Sequence, residues 1–527
     1  MRFTVGAWVL LLSSPTVLGC GAETSTPPCA DGGTCSAGPS EEACLEGLAA
    51  LRVQDGCGVF ASTTQGDDDN PGTMDKPVKT LARAIALAPR AQGRVFACTE
   101  PFLHDVTLPS GIDLWGGFNC WAGWKHATET LSPEYVASIQ PGSSSEVAPL
   151  TVVAAQDDGE VATDGVSTIV DVHVIADFAP EESIPSTVAM RLWPGAVVEV
   201  LRSVLKTSYG RRGADGANGS NLAPPGSAAY GEIGAIGKDA CSAATVTGGP
   251  AVMTVCGDLV STGGKGGDGT PDRGGDGEDG KPLPTPNSRD AGLGGAGAKD
   301  GAPCEDGHRG DDGAPGAPGA GGQGGRLTEA GWEGVPGRQG GTGAPGQGGG
   351  GGGGAPGGRS SCGNAALGGA SGGSGGGGGC GGTGGGGGAP GGASIAIFAH
   401  PGSKLTLRET RVVTAGGGSG GGGGRGQMGG QGVQGGPPGR APAMGGEYAC
   451  RGGYGGWGGT GGYGGGGSGG PSIGIAYADD EQLTLDRVTF EIGPGGRGGI
   501  ADVEDETRDK PNRGSDGFAA ETMRFAP

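Results

Sequence analysis

Thr187-Val-Ala-Met-Arg-Leu-Trp-Pro-Gly-Ala-Val-Val-Glu-Val-Leu-Arg-Ser-Val-Leu-Lys-Thr-Ser-Tyr-Gly210 decides the fold, because its pattern returns twice, without a gap, over Ser394–Gly417 and Ser472–Gly495. Each copy carries an alternating apolar pair, a turn and, ten residues on, a second pair. The first pairs are Val188/Met190, Ile395/Ile397 and Ile473/Ile475, and the second are Val198/Val200, Leu405/Leu407 and Leu483/Leu485. Leu205, Val412 and Phe490 follow seven residues after each second pair begins. Residues two apart in an extended chain share a side, so each pair reads as one short half-buried strand. Pro194-Gly195 and Pro401-Gly402 fall where the turn must sit. A unit of two or three such strands cannot bury its own apolar side, so the copies must stack on one another. The expected class is therefore all-β, a β-solenoid, with long glycine-rich insertions leaving after Gly210 and Gly417 at equivalent ends of the unit.

Composition limits how much chain this core can use. Glycine accounts for 129 of 527 residues, against about 7% in ordinary chains. Hydrophobic residues are 34% and aromatics 5%, clustered in Gly58–Ala155, Val166–Tyr209 and the two later copies, which is material for one modest solenoid. A formal charge of −21 argues against nucleic acid as a partner, since phosphates need Lys and Arg to neutralise them.

The amino terminus reads as a processing signal, with Arg2, an apolar stretch from Val5 to Leu12, and Val17-Leu18-Gly19-Cys20. These four residues resemble a bacterial lipoprotein lipobox, which implies lipidation of Cys20 and, with Gly21 following, placement at the outer membrane. No later run reaches the ~18 apolar residues a spanning helix needs. Beyond Cys20 there remain twelve cysteines, an even number that suits disulfides in an exported chain. No Cys-x-x-Cys is present, which argues against zinc. Cys44 with Cys57, Cys98 with Cys120 and Cys241 with Cys256 are the sequence-near pairs expected to bridge, with connectivity open.

Cys57-Gly-Val-Phe-Ala61, Gly66-Asp-Asp-Asp-Asn-Pro-Gly-Thr73 and Thr80-Leu-Ala-Arg-Ala-Ile-Ala-Leu87 read as strand, polar turn and short amphipathic helix. Arg94–Cys98, Asp105–Leu108 and Ile112–Trp115 are short strand candidates. Together with Lys76-Pro77 and Leu114-Trp-Gly-Gly-Phe-Asn-Cys120, these motifs resemble the amino-terminal signature of right-handed parallel β-helix proteins of the pectate-lyase-like superfold. Members with the paired cysteines are exported, often lipidated bacterial surface proteins of unassigned function. The resemblance covers Cys57–Trp124 in detail and implies that the helix at Thr80–Ala88 caps the first coil.

The glycine-rich text has internal phases. Gly307 to Gly325 keeps glycine at every third place, in a collagen-like manner. Gly452–Tyr463 runs in strict Gly-Gly-x triplets, with Tyr454, Trp457, Thr460 and Tyr463 in the third place. A polyproline-II-like strand has three residues per turn, so those four side chains would line one ridge while the bare edges pack on similar strands. Composition makes flexible disorder the first expectation for these segments, with the ordered bundle as the alternative. Ala251–Val260 is the one strand expected between Arg211 and Gly392.

Asp67, Asp68 and Asp69 are candidate calcium ligands, although an acidic turn ahead of the capping helix accounts for them more simply. Gly263–Asp268 and Gly274–Asp279 match calcium-binding nonapeptides only in part. Trp115, Trp121 and Trp124 are candidates for stacking on sugar rings, the plainer expectation being that they seal the end of the solenoid. No other cofactor is expected. The outward positions Glu199, Thr406 and Thr484, with Leu201, Arg408 and Asp486, build no acidic ladder, and the five histidines (His104, His126, His173, His308 and His400) form no nucleophile–base set with any neighbour in sequence.

The organisation expected is a signal peptide over 1–19, a Cys/Pro/Ser-rich tether over 20–56, a β-helix over 57–210, a glycine-rich insert over 211–393, a coil over 394–417, a glycine- and aromatic-rich insert over 418–471, a coil over 472–495 and a tail over 496–527. The function expected is a lipid-anchored surface module, structural or adhesive, that meets matrix polysaccharide or neighbouring surface proteins through its glycine-rich loops. The competing classes are a carbohydrate-active enzyme, a polysaccharide lyase or hydrolase, and a glycan-binding protein on the same β-helix.

Overall fold

In a computed structural model, which describes residues 38–90, 93–127, 136–142, 148–157, 160–162, 165–176, 186–220, 228–287, 289–363, 365–443, 445–501 and 511–526, the three aligned copies lie side by side. Val188 pairs with Ile395 and Ile395 with Ile473, all in parallel register. Val198, Leu405 and Leu483 follow in the same way, as do Leu205, Val412 and Phe490.

Three parallel sheets result, and successive strands of each copy go to them in rotation. The first contains Val59–Ala61, Arg94–Cys98, Asp113–Asn119, Ser167–Val170, Val197–Leu201, Lys404–Arg408 and Leu483–Asp486 in that order. In the second, Pro101–Leu103, Ala137–Gln140, Val172–Ala176, Val204–Tyr209, Arg411–Gly416 and Thr489–Ile492 follow one another, and in the third Val106–Pro109, Leu150–Val153, Thr187–Leu192, Ser394–Ala399, Ser472–Tyr477 and Ala519–Arg524. The sheets share one apolar interior, in which Met190, Ile397, Ile475, Val198, Leu405, Leu205 and Val412 meet. Helix α2 (Leu81–Leu87), capped by the Thr80 hydroxyl, adds Leu81, Ala84 and Ile85 to that interior.

One expectation fails in detail. Val188, Ile395 and Ile473 form a common column, but it faces away from the interior that holds Met190, Ile397 and Ile475. Ala189 and Met190, and likewise Ala396 and Ile397, both belong to the interior, so two consecutive residues face one way and the alternation breaks. The outer column packs instead with Phe398, Phe525 and the hairpin Gly325–Thr328/Gly331–Gly334, through Leu327 and Trp332.

The turns between the first and second sheets carry a ladder of charge. Asp171, Arg202, Glu409 and Arg487 follow strand residues that are in register, and all have left-handed φ, between 46° and 53°. Such a conformation costs a side chain roughly 1–2 kcal/mol. Alternation of sign offsets it: Arg202 grips Asp171 through two hydrogen bonds of 2.9 Å, and Arg487 meets Glu409 at 2.8 Å.

Residues 41–49, expected as tether, form helix α1 (Glu41–Ala49). It lies with Cys44 and Leu48 against Phe60, Phe96, Phe118 and Trp124 in a second, smaller cluster apart from the shared interior. A Cys44–Cys57 disulfide and the Glu41–Arg94 ion pair tie it down. Cys98 is bonded to Cys120. Cys241 and Cys256 do not bond to each other: Cys241 joins Cys362 and Cys256 joins Cys380, while Cys304 joins Cys450. Those partners lie 121 to 146 residues apart, a distance over which spacing says nothing about pairing. The leader and Cys20 lie outside the described residues.

Among the described residues the glycine-rich segments form a regular hydrogen-bonded array, not the disorder that composition suggests. They leave the ends of second-sheet strands and return into third-sheet strands, and buried hydroxyl pairs close two of these bases: Thr207 with Ser394 at 2.8 Å and Thr414 with Ser472 at 2.7 Å. Between these points the segments run beside one another, joined by backbone hydrogen bonds at every third residue, the period of a polyproline-II strand. Gly210, Gly213, Gly216 and Gly219 donate to Gly416, Ser419, Gly422 and Arg425. The expected tail at 496–527 belongs here too: Gly496 and Gly499 donate to Gly470 and Gly467, and Ala519–Arg524 completes the third sheet. The expected strand at 251–260 is the hairpin Val252–Cys256/Leu259–Gly263, with Cys256 anchored to the bundle through Cys380.

Glycine content follows the number of neighbours. Segment 210–219, with one glycine per triplet, bonds to two others, 416–425 and 386–392. Segment 452–463, with two per triplet, bonds to four: 427–436, 341–350, 376–385 and 310–319. Gly348–Gly354, with three, bonds to six. Its seven N–H groups donate to Lys281, Gly376, His308, Glu278, Gly373, Glu305 and Gly275, and its carbonyls accept from Gly264, Gly453, Gly295, Gly267, Cys450 and Ala298. Each row of a three-residue turn thus faces two neighbours. A Cβ on Gly351 would fall on the carbonyl oxygen of Lys265, and one on Gly350 on that of Leu293. The missing side chain is what admits the neighbouring backbone, along with the weak Cα–H···O contact it makes.

Candidate binding surface

The third place of each Gly-Gly-x triplet in 452–463 is exposed, and it carries Tyr454, Trp457, Thr460 and Tyr463. The three aromatic residues are 49%, 47% and 40% exposed. Three residues at a polyproline-II rise put successive members roughly 9 Å apart. Alongside, on segment 416–440, the exposed row reads Arg425, Met428, Gln431 and Gln434. Gly455, Gly458 and Gly461 donate to Val433, Gly430 and Gln427, which sets the two segments side by side with both rows exposed. On the other flank, Gly310, Gly313, Gly316 and Gly319 donate to the carbonyls of Tyr454, Trp457, Thr460 and Tyr463. The backbone under the ridge is thereby held on both sides.

Outward-facing N–H groups on bundle edges have no backbone partner, and aspartates satisfy them. Asp312 accepts from Trp457 N–H at 2.8 Å and Asp306 from Arg451 N–H at 2.7 Å. Asp215, Asp239 and Asp516 do the same for Gly422, Arg440 and Gly498. A cation one turn earlier braces several of them, in the pairs Arg212–Asp215, Arg309–Asp312, Arg513–Asp516 and Lys265–Asp268 at 2.6 to 2.9 Å. The repeated Arg/Lys-x-x-Asp spacing was present in the sequence and went unread, because i,i+3 pairs signify a shared row only once the three-residue turn is established. The partial nonapeptide matches have the same role: Asp268 accepts from Gly248, Asp276 from Gly297 and Asp279 from Gly294.

The other candidates disperse. Asp68 accepts from the N–H groups of Lys79 and Thr80 and from the Thr80 hydroxyl, and Asp67 from the N–H of Asp69, so the acidic turn braces the start of α2. Trp124 is buried edge-on to Phe60 and donates to the Met74 carbonyl, Trp115 is half-buried, and Trp121 is exposed. The three do not form one platform. Trp124 and Trp115 pack in the small cluster under α1, apart from the shared interior to which α2 contributes. Glu199 pairs with Arg408 at 2.6 Å, across strands whose register matches the aligned copies.

Two histidine groupings were invisible to sequence reading because their partners are remote. His126 meets Asp171 at 3.0 Å, extending the charge ladder. His400 is buried, stacks on Trp193 at 4.7 Å and lies 3.4 Å from the Arg191 guanidinium, which sits over the Phe398 ring. Burial, with Arg191 beside it, lowers the His400 pKa to about 4.

No family model matches the chain, and neither does any curated protein or solved structure.

Proposed function

We propose that this is a surface protein with a structural and adhesive role, in which a right-handed parallel β-helix, anchored by lipid at Cys20, carries a stiff arm of packed glycine strands. The observation that carries the reading is the exposed aromatic row at 454–463, fixed on a backbone that hydrogen-bonds to four neighbouring segments. An adhesive surface gains from such fixing, since little entropy remains to be lost on contact and many weak contacts then add together. Three-sheet rotation, in-register stacking and a helix closing one end support the β-helix. The leader ending in Val17-Leu18-Gly19-Cys20 supports the anchor.

Two experiments test this. Cys20→Ala should move the protein from the membrane to the soluble fraction, and retained detergent-phase partitioning would count against the anchor. Cells whose protein has 418–471 replaced by a short linker should attach less to surfaces and to one another, and unchanged attachment would remove the adhesive role. The enzymatic reading finds little support in the outward positions of the aligned strands, where Glu199 is committed to Arg408. Release of reducing sugar from acidic polysaccharides by the purified chain would revive it.

A further inference from the structure

We infer that the row Tyr454, Trp457, Thr460 and Tyr463, with the amide-bearing row beside it, is a docking track for an extended, uncharged polysaccharide lying along the strand direction. The inference rests on the adhesive reading and names the partner chemistry.

Three observations carry it. The aromatic residues stand on one strand, each exposed by 40% or more, and their roughly 9 Å step is close to the distance between alternate rings of an extended sugar chain. Sugar rings have an apolar face that stacks on Tyr and Trp, and hydroxyl edges that need donors and acceptors. Gln431 and Gln434 offer both at the side of the row, with Arg425 at one end. The track is also preorganised: Asp312 holds the Trp457 N–H, Asp306 holds that of Arg451, and every carbonyl of the row accepts from 310–319.

Charge selects among polysaccharides. At the track Asp306 and Asp312 stand beside Arg451, the Arg309 that pairs with Asp312, and Arg425 at one end, so the −21 formal charge of the chain, not a local acidic patch, acts on an approaching polymer. An anionic polymer would be repelled, whereas a neutral one pays no such penalty. Exposed aromatic residues spaced regularly on a rigid face also distinguish this surface from the apolar ridge of Tyr230, Ile233 and Ile236 on segment 228–240, where aliphatic side chains dominate and no sugar face is matched.

The test uses the full chain in pull-down with insoluble cellulose, chitin and a β-1,3-glucan, with polygalacturonate as the anionic control. At least one neutral polymer should retain the protein, and polygalacturonate should retain none. Trp457→Ala should weaken retention roughly tenfold, the loss of about one stacking contact. Trp457→Tyr should keep most of it, and Trp121→Ala, removing an exposed tryptophan of the rod, should change nothing. Thr460 already occupies this row without an aromatic ring, so Trp457→Ala leaves the fold intact, which an unchanged melting profile would verify. Retention by no neutral polymer, preference for polygalacturonate, or equal effects of Trp457→Ala and Trp121→Ala would each overturn the inference. If binding fails while the 418–471 replacement still abolishes attachment, the adhesive role stands and only the partner is wrong.

Discussion

The rod and the glycine bundle hold together by opposite means. In the rod, side chains such as Ile397, Leu405 and Val412 fill an interior, and each buried aliphatic group contributes about 1.5–3 kcal/mol. In the bundle, the interior is backbone. Gly348–Gly354 offers no apolar side chain at all, and its order comes from hydrogen bonds in six directions. One backbone hydrogen bond gives a net 0.5–1.5 kcal/mol, while fixing one residue costs about 1–2 kcal/mol and glycine more than most. Such a lattice is close to balanced, and a further constraint is needed. Three of the five disulfides among the described residues lie there, closing loops of 121, 124 and 146 residues.

That contrast predicts opposite responses to substitution. Gly351→Ala inserts one methyl where the Lys265 carbonyl sits, with backbone on the far side and no flexible side chain to yield. It should cost about 4 kcal/mol or more, seen as loss of the bundle's unfolding transition and rapid proteolysis within 264–380. Leu405→Ile in the rod, a change of similar extent, should cost under about 1.5 kcal/mol because side chains can repack. Leu405→Asp should cost several kcal/mol, by placing a charge in the shared interior; undiminished thermal stability would contradict the stacking of the copies.

Disulfide removal sharpens the comparison. Loop-closure entropy assigns about 4–5 kcal/mol to a bridge spanning over 100 residues and nearer 3 to a short one. Cys256→Ser with Cys380→Ser should therefore destabilise the bundle more than Cys44→Ser with Cys57→Ser destabilises the rod, as read by urea unfolding followed separately through the two regions. Equal effects would mean that the bundle does not rely on its bridges.

One pH effect comes from the strand Ser394–Ala399 and the residue that follows it. His400 has a folded pKa of about 4, below the 6.5 of an unfolded histidine, so the unfolded chain takes up the proton first. The stability it confers is complete above pH ~6.5 and is lost as pH falls toward 4, by an amount of about 3 kcal/mol. Melting at pH 7 and at pH 4.5 should differ less in His400→Gln than in the parent. The smallest effect should come from Trp457→Ala, within about 0.5 kcal/mol, since the row faces solvent.

The parallel pairing of the copies was legible in the sequence because its signal is local: apolar residues two apart, and a repeat that aligns without gaps. Every pairing implied by that alignment is present, from Val188–Ile395–Ile473 to Leu205–Val412–Phe490. Facing was legible only in part, since the break at Ala189–Met190 depends on how the sheet bends, which alternation does not encode. The ridge at 454–463 was readable from its triplets. Its flanks were not, because the segments 310–319 and 427–436 that hold it lie more than a hundred residues away on one side and are separated by a chain reversal on the other. The count of glycines per triplet did carry the number of neighbours, in a form that composition alone reads as disorder.

Amide hydrogen exchange on the intact, oxidised chain addresses the lattice most directly. Gly348–Gly354 and Gly375–Gly379 should be protected about as strongly as Ser394–Ala399 of the rod, with the protection lost in Gly351→Ala. Exchange of these glycines at the rate of an unstructured peptide, while the rod stays protected, would contradict the account.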